Sequence, residues 1–318
     1  VNPGTMFCSL ETVGLASQVA VTHTGRLQVK TECGVLKPRG EPVELCVYFA
    51  DSPDGLTASG ERPAGVKRAF GWQVRLIEDT VGNVAIYWGD RRVEGWKLYA
   101  GIFGAPKGAF GTLTKQGGAY TRTTKDSVYF DFDANGRIST IKDRSSDGNL
   151  VYYNYNGSNQ MIRLTGPGLG YKPYFTYDAN GRVNAMSLEA TPASYNRVTY
   201  YDYDASGRMN KIVGPESCIT YFDHNASDNL SQETDPDNFR TYFQYGAESI
   251  PRVKEVNFPE TQTLYFNYDD TVPRQARIQA GGSADYFDYP WSGLPEVAAA
   301  GSKGTYFTYD ANAKPAMA

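Results

Sequence analysis

A short string of residues returns along the second half of this chain, and it constrains the fold more than any other feature. The string at Tyr174–Val183 alternates aromatic and polar residues, continues with turn-forming residues and then begins a second apolar stretch. Tyr, Phe, Thr and Val favour a pleated surface, whereas Asp, Asn and Gly favour a reversal of direction. Close copies occupy residues 129–138 and 201–209, and a shortened copy begins at Tyr306. Such recurrence indicates a repeat architecture.

The number of copies can be found by counting the second aromatic position of the string. It recurs nine times beyond residue 119, in steps of 20 to 26 residues, and His224 replaces the aromatic once. The nine positions are Phe132, Tyr155, Tyr177, Tyr203, His224, Tyr245, Tyr268, Tyr289 and Tyr309. One copy cannot bury its own aromatic face, so the copies must stack side by side. We therefore predict an all-β fold in which residues 119–318 form one long antiparallel sheet.

The turn residues of the string each have a physical role. The Asp accepts hydrogen bonds from backbone N–H groups, and the Gly supplies a position with positive φ. The Arg that follows can reach a carboxylate or stack on an aromatic ring of the adjacent copy. The predicted turn motif comprises Asp133, Asn135, Gly136, Arg137, Asp178, Asn180, Gly181, Arg182, Asp204, Gly207 and Arg208.

Residues 1–118 lack the repeat and form what we call the leader region. Alternating apolar residues predict strands at Glu44–Phe49, Trp72–Ile77 and Val84–Trp88. No helical periodicity persists along the chain, because Pro or Gly interrupts most windows. The leader is therefore predicted to be β-rich as well.

Composition and cysteine spacing limit the partners and the chemistry. A net charge of −4 and a pI near 5.4 do not favour electrostatic binding to nucleic acid or to an anionic membrane. No apolar run approaches the length of about 18 residues that a membrane span requires. The cysteines form no CxxC pair, which argues against zinc. Cys8, Cys33 and Cys46 lie close together in sequence, so a disulfide in an oxidising compartment and buried thiols in a reduced protein both stay open.

Catalytic and metal-binding patterns are weak. His23 and His224 are the only imidazoles, and no nucleophile elbow, HExxH motif or phosphate-binding loop is present. Residues 131–136 copy the first half of a calcium loop, but Lys142 stands where the closing Glu belongs. We predict no enzyme activity, no metal and no cofactor.

The residues also carry a resemblance to a known family. The string at Phe175–Val183, with its copies at Phe130–Ile138 and Tyr201–Met209, resembles the motif of YD-repeat, or RHS-repeat, proteins. The resemblance implies a bacterial protein, secreted or attached to the cell surface, whose antiparallel strands form a spiralling sheet. Large members wrap that sheet into a shell around a toxic C-terminal domain. The leader resembles the segment that precedes such repeats.

The shortened last copy suggests self-assembly. The strand that contains Tyr306, Phe307, Thr308 and Tyr309 is aromatic and uncharged, and exposed strand edges pair readily with other chains. We therefore expect a structural protein that assembles with copies of itself, head to tail, into a filament or surface array. The alternative is a fragment of a toxin-enclosing shell.

A third hypothesis is a surface adhesin that binds glycans. Exposed Tyr and Trp rings can stack on sugars, and Trp72, Trp88, Trp96 and Trp291 are the candidates. The competing interpretation is that these large rings pack against the sheet.

Overall fold

The structure is a computed structural model that describes most of the repeat region and parts of the leader. The described residues are 18–21, 26–31, 35–36, 43–50, 62–90, 92–106, 109–144, 150–166, 169, 172–189, 197–247, 251–259, 263–269, 274–280, 283–289, 297–300, 303–306, 308–309 and 315–316. They divide into two compact units. The first unit holds the described residues within 31–48 and 54–218, and the second holds those within 5–30, 49–53 and 219–318.

Short antiparallel strands make up the described leader. They are β1 (Gln18–Val21), β2 (Arg26–Thr31), β3 (Val35–Leu36), β4 (Val43–Glu44), β5 (Val47–Ala50), β6 (Arg68–Phe70), β7 (Val74–Glu78), β8 (Val84–Trp88), β9 (Val93–Tyr99) and β10 (Ile102–Gly104). Strands β7 to β10 form a meander in which each strand pairs with the next. Strand β1 pairs with β2, and β3 pairs with β4.

The repeat strands of the first unit form a second meander, and each strand again pairs with the next. They are β11 (Gly111–Gln116), β12 (Ala119–Thr124), β13 (Tyr129–Phe132), β14 (Ile138–Lys142), β15 (Leu150–Tyr155), β16 (Met161–Thr165), β17 (Lys172–Tyr177), β18 (Val183–Glu189), β19 (Arg197–Tyr203) and β20 (Met209–Val213). A 3₁₀ helix at Pro215–Ser217 follows, and the described residues contain no α-helix.

The second unit continues the same pattern from β21 to β29. Its strands are β21 (Ile219–His224), β22 (Leu230–Thr234), β23 (Arg240–Tyr245), β24 (Val253–Asn257), β25 (Thr263–Asp269), β26 (Arg274–Ala280), β27 (Ser283–Tyr289), β28 (Val297–Ala300) and β29 (Lys303–Tyr306). Strand β30 (Thr308–Tyr309) pairs separately with β31 (Pro315–Ala316). The predicted all-β, antiparallel fold class is confirmed.

Strand bounds in the leader differ from the prediction at two places. The predicted strand Glu44–Phe49 is interrupted at Leu45 and Cys46, where the Cys46 carbonyl accepts a hydrogen bond of 2.8 Å from the N–H of Gly71. Strand β7 begins at Val74 rather than at Trp72, because a turn precedes it, closed by a 2.9 Å bond from Gln73 N–H to the Phe70 carbonyl. The predicted strand Val84–Trp88 is confirmed.

The core of the first unit lies between the leader strands and one face of the repeat sheet. Trp72 packs on Phe175 with ring centroids 4.9 Å apart. Phe70 meets the edge of Tyr201 at 5.2 Å, and Trp88 meets Phe130 in a similar way. Aromatic pairs of this kind add to the stabilisation from burial alone. The leader therefore covers the apolar face that single repeats leave open.

Among the described residues, no helix is long and apolar enough to cross a membrane.

Candidate functional site in the repeat turns

Three described repeat hairpins of the YD type close through the same five-residue turn, and Asp178–Arg182 shows it most fully. The N–H of Asp178 donates to the Arg182 carbonyl at 2.8 Å, and the N–H of Gly181 donates to the Asp178 carbonyl at 3.0 Å. The Asp178 Oδ1 atom accepts from the N–H groups of Asn180 and Arg182, both at 2.9 Å. Its Oδ2 atom accepts from Arg182 Nε at 2.7 Å. One carboxylate thus organises the whole turn.

The same bonds recur in the other predicted motifs. Asp133 accepts from Asn135 N–H and Arg137 N–H at 2.9 Å and from Arg137 Nε at 2.7 Å. Asp204 accepts from Ser206 N–H and Arg208 N–H at the same distance and from Arg208 Nε at 2.6 Å. The glycine at the fourth position has positive φ in each, as at Gly136, Gly181 and Gly207.

Sequence reasoning missed two further turns of this geometry. Asn156 and Asn225 replace the Asp, and their amide oxygens accept the same pair of backbone N–H bonds at 2.9 to 3.0 Å. The positive-φ position is held by Asn159 and Asp228, at φ 64° and 61°. Asn and Asp tolerate this region better than other non-Gly residues. The spacing to the neighbouring copies could have identified these turns. It places Asn156 and Asn225 at the Asp position of the motif, and Asn159 and Asp228 at its Gly position.

The turn carboxylates have shifted pKa values. Burial by itself raises the pKa of Asp178, but the backbone and side-chain hydrogen bonds from Arg182 outweigh it and hold the pKa below its ordinary value. The same balance, with Arg208 as donor, lowers the pKa of Asp204. Both groups are therefore ionised at neutral pH and keep their arginines in place.

In the copies whose second aromatic position is a described tyrosine side chain, that hydroxyl bonds the repeat to the one before it. The Tyr177 hydroxyl donates to the Met161 carbonyl at 2.6 Å, and the Tyr155 hydroxyl donates to the Ile138 carbonyl at 2.9 Å. In the second unit Tyr245 donates to the Leu230 carbonyl at 2.8 Å. We call this contact the tyrosine lock. Sequence reasoning assigned these rings to packing and did not foresee that their hydroxyls satisfy a carbonyl of the preceding hairpin.

The turn arginines reinforce the tyrosine lock. The guanidinium of Arg137 lies 4.9 Å from the ring centroid of Tyr155 in the following repeat, and Arg182 lies 4.5 Å from that of Tyr203. Each arginine therefore joins the carboxylate of its own turn to the ring of the next copy. Burial raises the pKa of Tyr203, so its hydroxyl stays a proton donor.

A β-bulge accompanies each lock. Thr176 pairs with Ala185 whereas Tyr177 pairs with Val183, so Asn184 is the extra residue of that hairpin. The same shift of register occurs in the hairpins of Phe132, Tyr155, Tyr203, His224 and Tyr245. The bulge turns the locking side chain towards the preceding repeat.

The leader backbone bonds directly to three of these hairpins. Leu76 N–H donates to the Gly136 carbonyl at 2.8 Å, and Val66 N–H donates to the Gly207 carbonyl at 3.0 Å. Between these two, Val183, the first residue after the turn Asp178–Arg182, donates its N–H to the Pro63 carbonyl at 2.8 Å. The leader is thereby attached to the ends of three hairpins in the first unit.

A cavity of about 230 Å³ lies where the leader meets these turns. Arg62, Arg75 and Arg137 line it together with the rings of Trp72 and Tyr155, and the described part of its lining contains no Asp or Glu. Among the lining residues that the structure describes, no Ser–His or Cys–His pair could form a nucleophile and base, and we assign no catalytic step to the cavity.

An ion pair in the same unit joins the leader to the repeat sheet. Arg122 Nε and Glu94 Oε2 are 2.9 Å apart, and both side chains are 5% exposed. The Arg122 guanidinium also lies 5.0 Å from the Trp96 ring centroid, and Trp96 Nε1 donates to Glu94 Oε2 at 3.3 Å. Nothing in the spacing of the sequence pointed to this pair.

Several predicted sites fall outside the described residues. Cys8, Cys33, Phe307 and Trp291 are among them, so the disulfide stays a prediction, while Cys46 is buried. The predicted assembly strand is divided, because Tyr306 ends β29 whereas Thr308 and Tyr309 form β30.

The calcium-like string at residues 131–136 is part of a repeat hairpin. The Lys142 ammonium bonds Asp131 Oδ2 at 2.9 Å, where a closing metal ligand would belong. Within the part of the chain that the structure describes, no three His, Cys, Asp or Glu side chains cluster closely enough to hold a metal ion.

The hypothesis of exposed tryptophan platforms is wrong for three of its four candidates. Trp72, Trp88 and Trp96 are all less than 10% exposed. They pack on Phe175, Phe130 and the Arg122 guanidinium, respectively. These rings fill the space between the leader and the sheet, so they present no exposed face on which a sugar could stack.

Comparison with known proteins identifies no family for this chain. No protein-family model and no curated protein matches it. A Tc holotoxin pore of Photorhabdus luminescens aligns at 12% identity over 76% of this chain and 17% of its own, with a TM-score of 0.28. A TcdB2–TccC3 complex aligns at 9% identity over 90% of this chain and 17% of its own, with a TM-score of 0.26. This chain spans less than a fifth of those chains, and TM-scores this low carry no argument.

Proposed function

We propose that this chain is a non-enzymatic structural protein, a segment of the wall of an extracellular YD-repeat shell. The observation that carries the proposal is the attachment of the leader to three repeat hairpins, at Gly136, Val183 and Gly207. A wall built from repeats needs its apolar face covered, and here the chain's own leader covers it in the first unit. The tyrosine locks and turn arginines then join neighbouring repeats within the first unit.

Particle size across a dilution series tests this proposal. Negative-stain electron microscopy and mass photometry are expected to give compact particles of one chain, about 35 kDa, at every concentration. A variant with Trp72→Ala is expected to loosen the leader and to increase amide hydrogen exchange in β17, where Phe175 loses its partner. Unchanged exchange in β17 would argue against the leader as a covering layer.

Head-to-tail assembly into a filament is the second candidate. Strand β29 is the last strand in the order of its sheet and pairs through Lys303–Tyr306 with β28. A strand at the edge of a sheet can accept a strand from another copy. Regular fibres at high concentration, lost on deletion of residues 304–318, would favour the filament over the isolated wall segment. Secretion and the enclosure of a toxin are parts of the shell proposal that the resemblance alone suggests.

A further inference from the structure

Asn–Gly pairs lie in three of the described repeat turns, at Asn135–Gly136, Asn156–Gly157 and Asn180–Gly181. An asparagine that precedes glycine can lose its side-chain amide, because the glycine nitrogen attacks the side-chain carbonyl carbon and closes a five-membered ring. Glycine permits this approach since it carries no Cβ. The three pairs do not occupy the same positions in their turns, so their reactivity should differ.

In two of the pairs the attacking nitrogen is already engaged in a hydrogen bond. Gly136 N–H donates to the Asp133 carbonyl at 2.9 Å, and Gly181 N–H donates to the Asp178 carbonyl at 3.0 Å. Both glycines hold the fourth position of the turn, where φ is positive. Attack by either nitrogen would first require its bond within the turn to break.

The Asn156–Gly157 pair is arranged differently, because its asparagine takes the first position of the turn. Gly157 is therefore the second residue, it is exposed, and its N–H has no acceptor among the described residues. A Cβ added at Gly157 would meet no atom within 4 Å, so this part of the turn is open. Water, which the reaction consumes, can reach it.

The side chain of Asn156 is held in a way that favours attack on its amide. Its Oδ1 atom accepts from the N–H groups of Ser158 and Gln160, both at 2.9 Å. Negative charge develops on this oxygen when a nucleophile adds to the amide carbon, and two backbone donors at this distance stabilise that charge. The Nδ2 atom donates to Gln160 Oε1 at 2.9 Å, which fixes the amide plane. No described residue donates to the side-chain oxygen of Asn135 or Asn180.

We propose that Asn156 is a site of spontaneous self-modification, at which the folded chain converts asparagine to aspartate or isoaspartate. The Gly157 nitrogen loses its proton to water and bonds to Asn156 Cγ, and the Cγ–Nδ2 bond breaks to release ammonia. Water then opens the ring at one of its two carbonyls. Opening at Cγ gives aspartate, whereas opening at the backbone carbonyl gives isoaspartate. The reaction takes place once per chain.

Aspartate at position 156 would give this turn the first residue of the YD motif. The carboxylates of Asp133 and Asp178 accept the same pair of backbone bonds in their turns, so the new carboxylate can keep them. The Arg137 guanidinium bonds Asn159 Oδ1, which brings a cation to the turn where the carboxylate forms. Isoaspartate would lengthen the backbone between the paired strands β15 and β16 and should loosen that hairpin.

Peptide mapping by mass spectrometry of the whole chain, aged in slightly alkaline buffer, tests this proposal. We expect Asn156 to be converted about tenfold faster than Asn135 or Asn180 in the folded chain. In guanidinium chloride the turns are lost, so the three pairs are expected to react at similar rates. Methylation by an isoaspartyl methyltransferase detects isoaspartate, the product that requires the ring intermediate.

Two variants separate the glycine from the hydrogen bonds. Gly157→Ala introduces no strain, because φ at this residue is not positive and the space for a Cβ is free, and it is expected to slow the conversion of Asn156 severalfold. Ala226→Gly is the reciprocal variant. Asn225 Oδ1 accepts the same pair of backbone bonds, at 2.9 and 3.0 Å, but alanine follows it. This variant is expected to make Asn225 a second site of conversion.

Circular dichroism checks the fold of each variant. The proposal is overturned if Asn156 reacts no faster than Asn135 and Asn180 in the folded chain, because the turn bonds would then protect the amide rather than activate it. It is also overturned if the same ranking persists in guanidinium chloride, which would make the difference an effect of sequence alone. Failure of Ala226→Gly to convert Asn225 would overturn it as well.

Discussion

Replacement of Arg122 by methionine is expected to be one of the most destabilising single changes in the first unit. The substitution keeps most of the side-chain volume but removes the charge that faces Glu94, whose side chain is 5% exposed. It also removes the donor to the Phe110 carbonyl, at 3.1 Å, and the cation over the Trp96 ring. The contacts with Glu94 and Trp96 join β12 of the repeat sheet to β9 of the leader.

The size of the effect follows from what is left behind. A buried ion pair that loses one partner costs about 3 to 5 kcal/mol, because the remaining charge is buried without compensation. Here Arg92 Nη1 lies 3.5 Å from Glu94 Oε1, but its side chain is 44% exposed, so it compensates only in part. We therefore expect a loss of about 3 kcal/mol, at the lower end of that range. Glu94→Gln in the same chain removes the stranded charge and should recover part of the loss.

Urea unfolding followed by tryptophan fluorescence measures this loss, because Trp72, Trp88 and Trp96 all belong to the first unit. Lys115→Met is the matched control, since the Lys115–Glu78 pair also joins the leader to the repeats but is more than a third exposed. Exposed pairs contribute little, so the control should lose much less. Equal losses in the two single variants, or a double variant less stable than Arg122→Met, would refute the reasoning.

Two further predictions concern the turns. Gly136→Ala should destabilise the first unit far more than the control Gly117→Ala. Both glycines have positive φ, but only at Gly136 would an added Cβ lie 2.0 Å from a leader carbonyl oxygen, that of Leu76. Equal urea midpoints for the two variants would contradict this prediction. The pKa of Asp178 is lowered below its ordinary 3.8, so its stabilisation is present above that value and is lost as pH falls through the lower folded-state pKa. Asp178→Asn should therefore flatten the loss of stability between about pH 5 and pH 2, and parallel pH profiles for the variant and the unchanged chain would count against it.

The sequence predicted the hairpins well because their determinants are local. Asp178, Gly181 and Arg182 lie within five residues, and their turn geometry depends on little outside that span. The Arg122–Glu94 pair could not be predicted, since 28 residues separate its members and a strand pairing must first bring them together. The burial of Trp72 could not be predicted either, because its partner Phe175 belongs to a strand that is distant in sequence.

The tyrosine lock implies an order in which the repeats fold. The Ile138 carbonyl accepts a hydrogen bond from the Tyr155 hydroxyl, and the Met161 carbonyl accepts one from the Tyr177 hydroxyl. Each of these hairpins is therefore completed by a residue that the ribosome adds later. During synthesis the most recent repeat on the ribosome is always unfinished, and it is completed only when about one more repeat has emerged. We expect the repeats to mature one after another from the N-terminal side, each newly made copy serving as the template for the next.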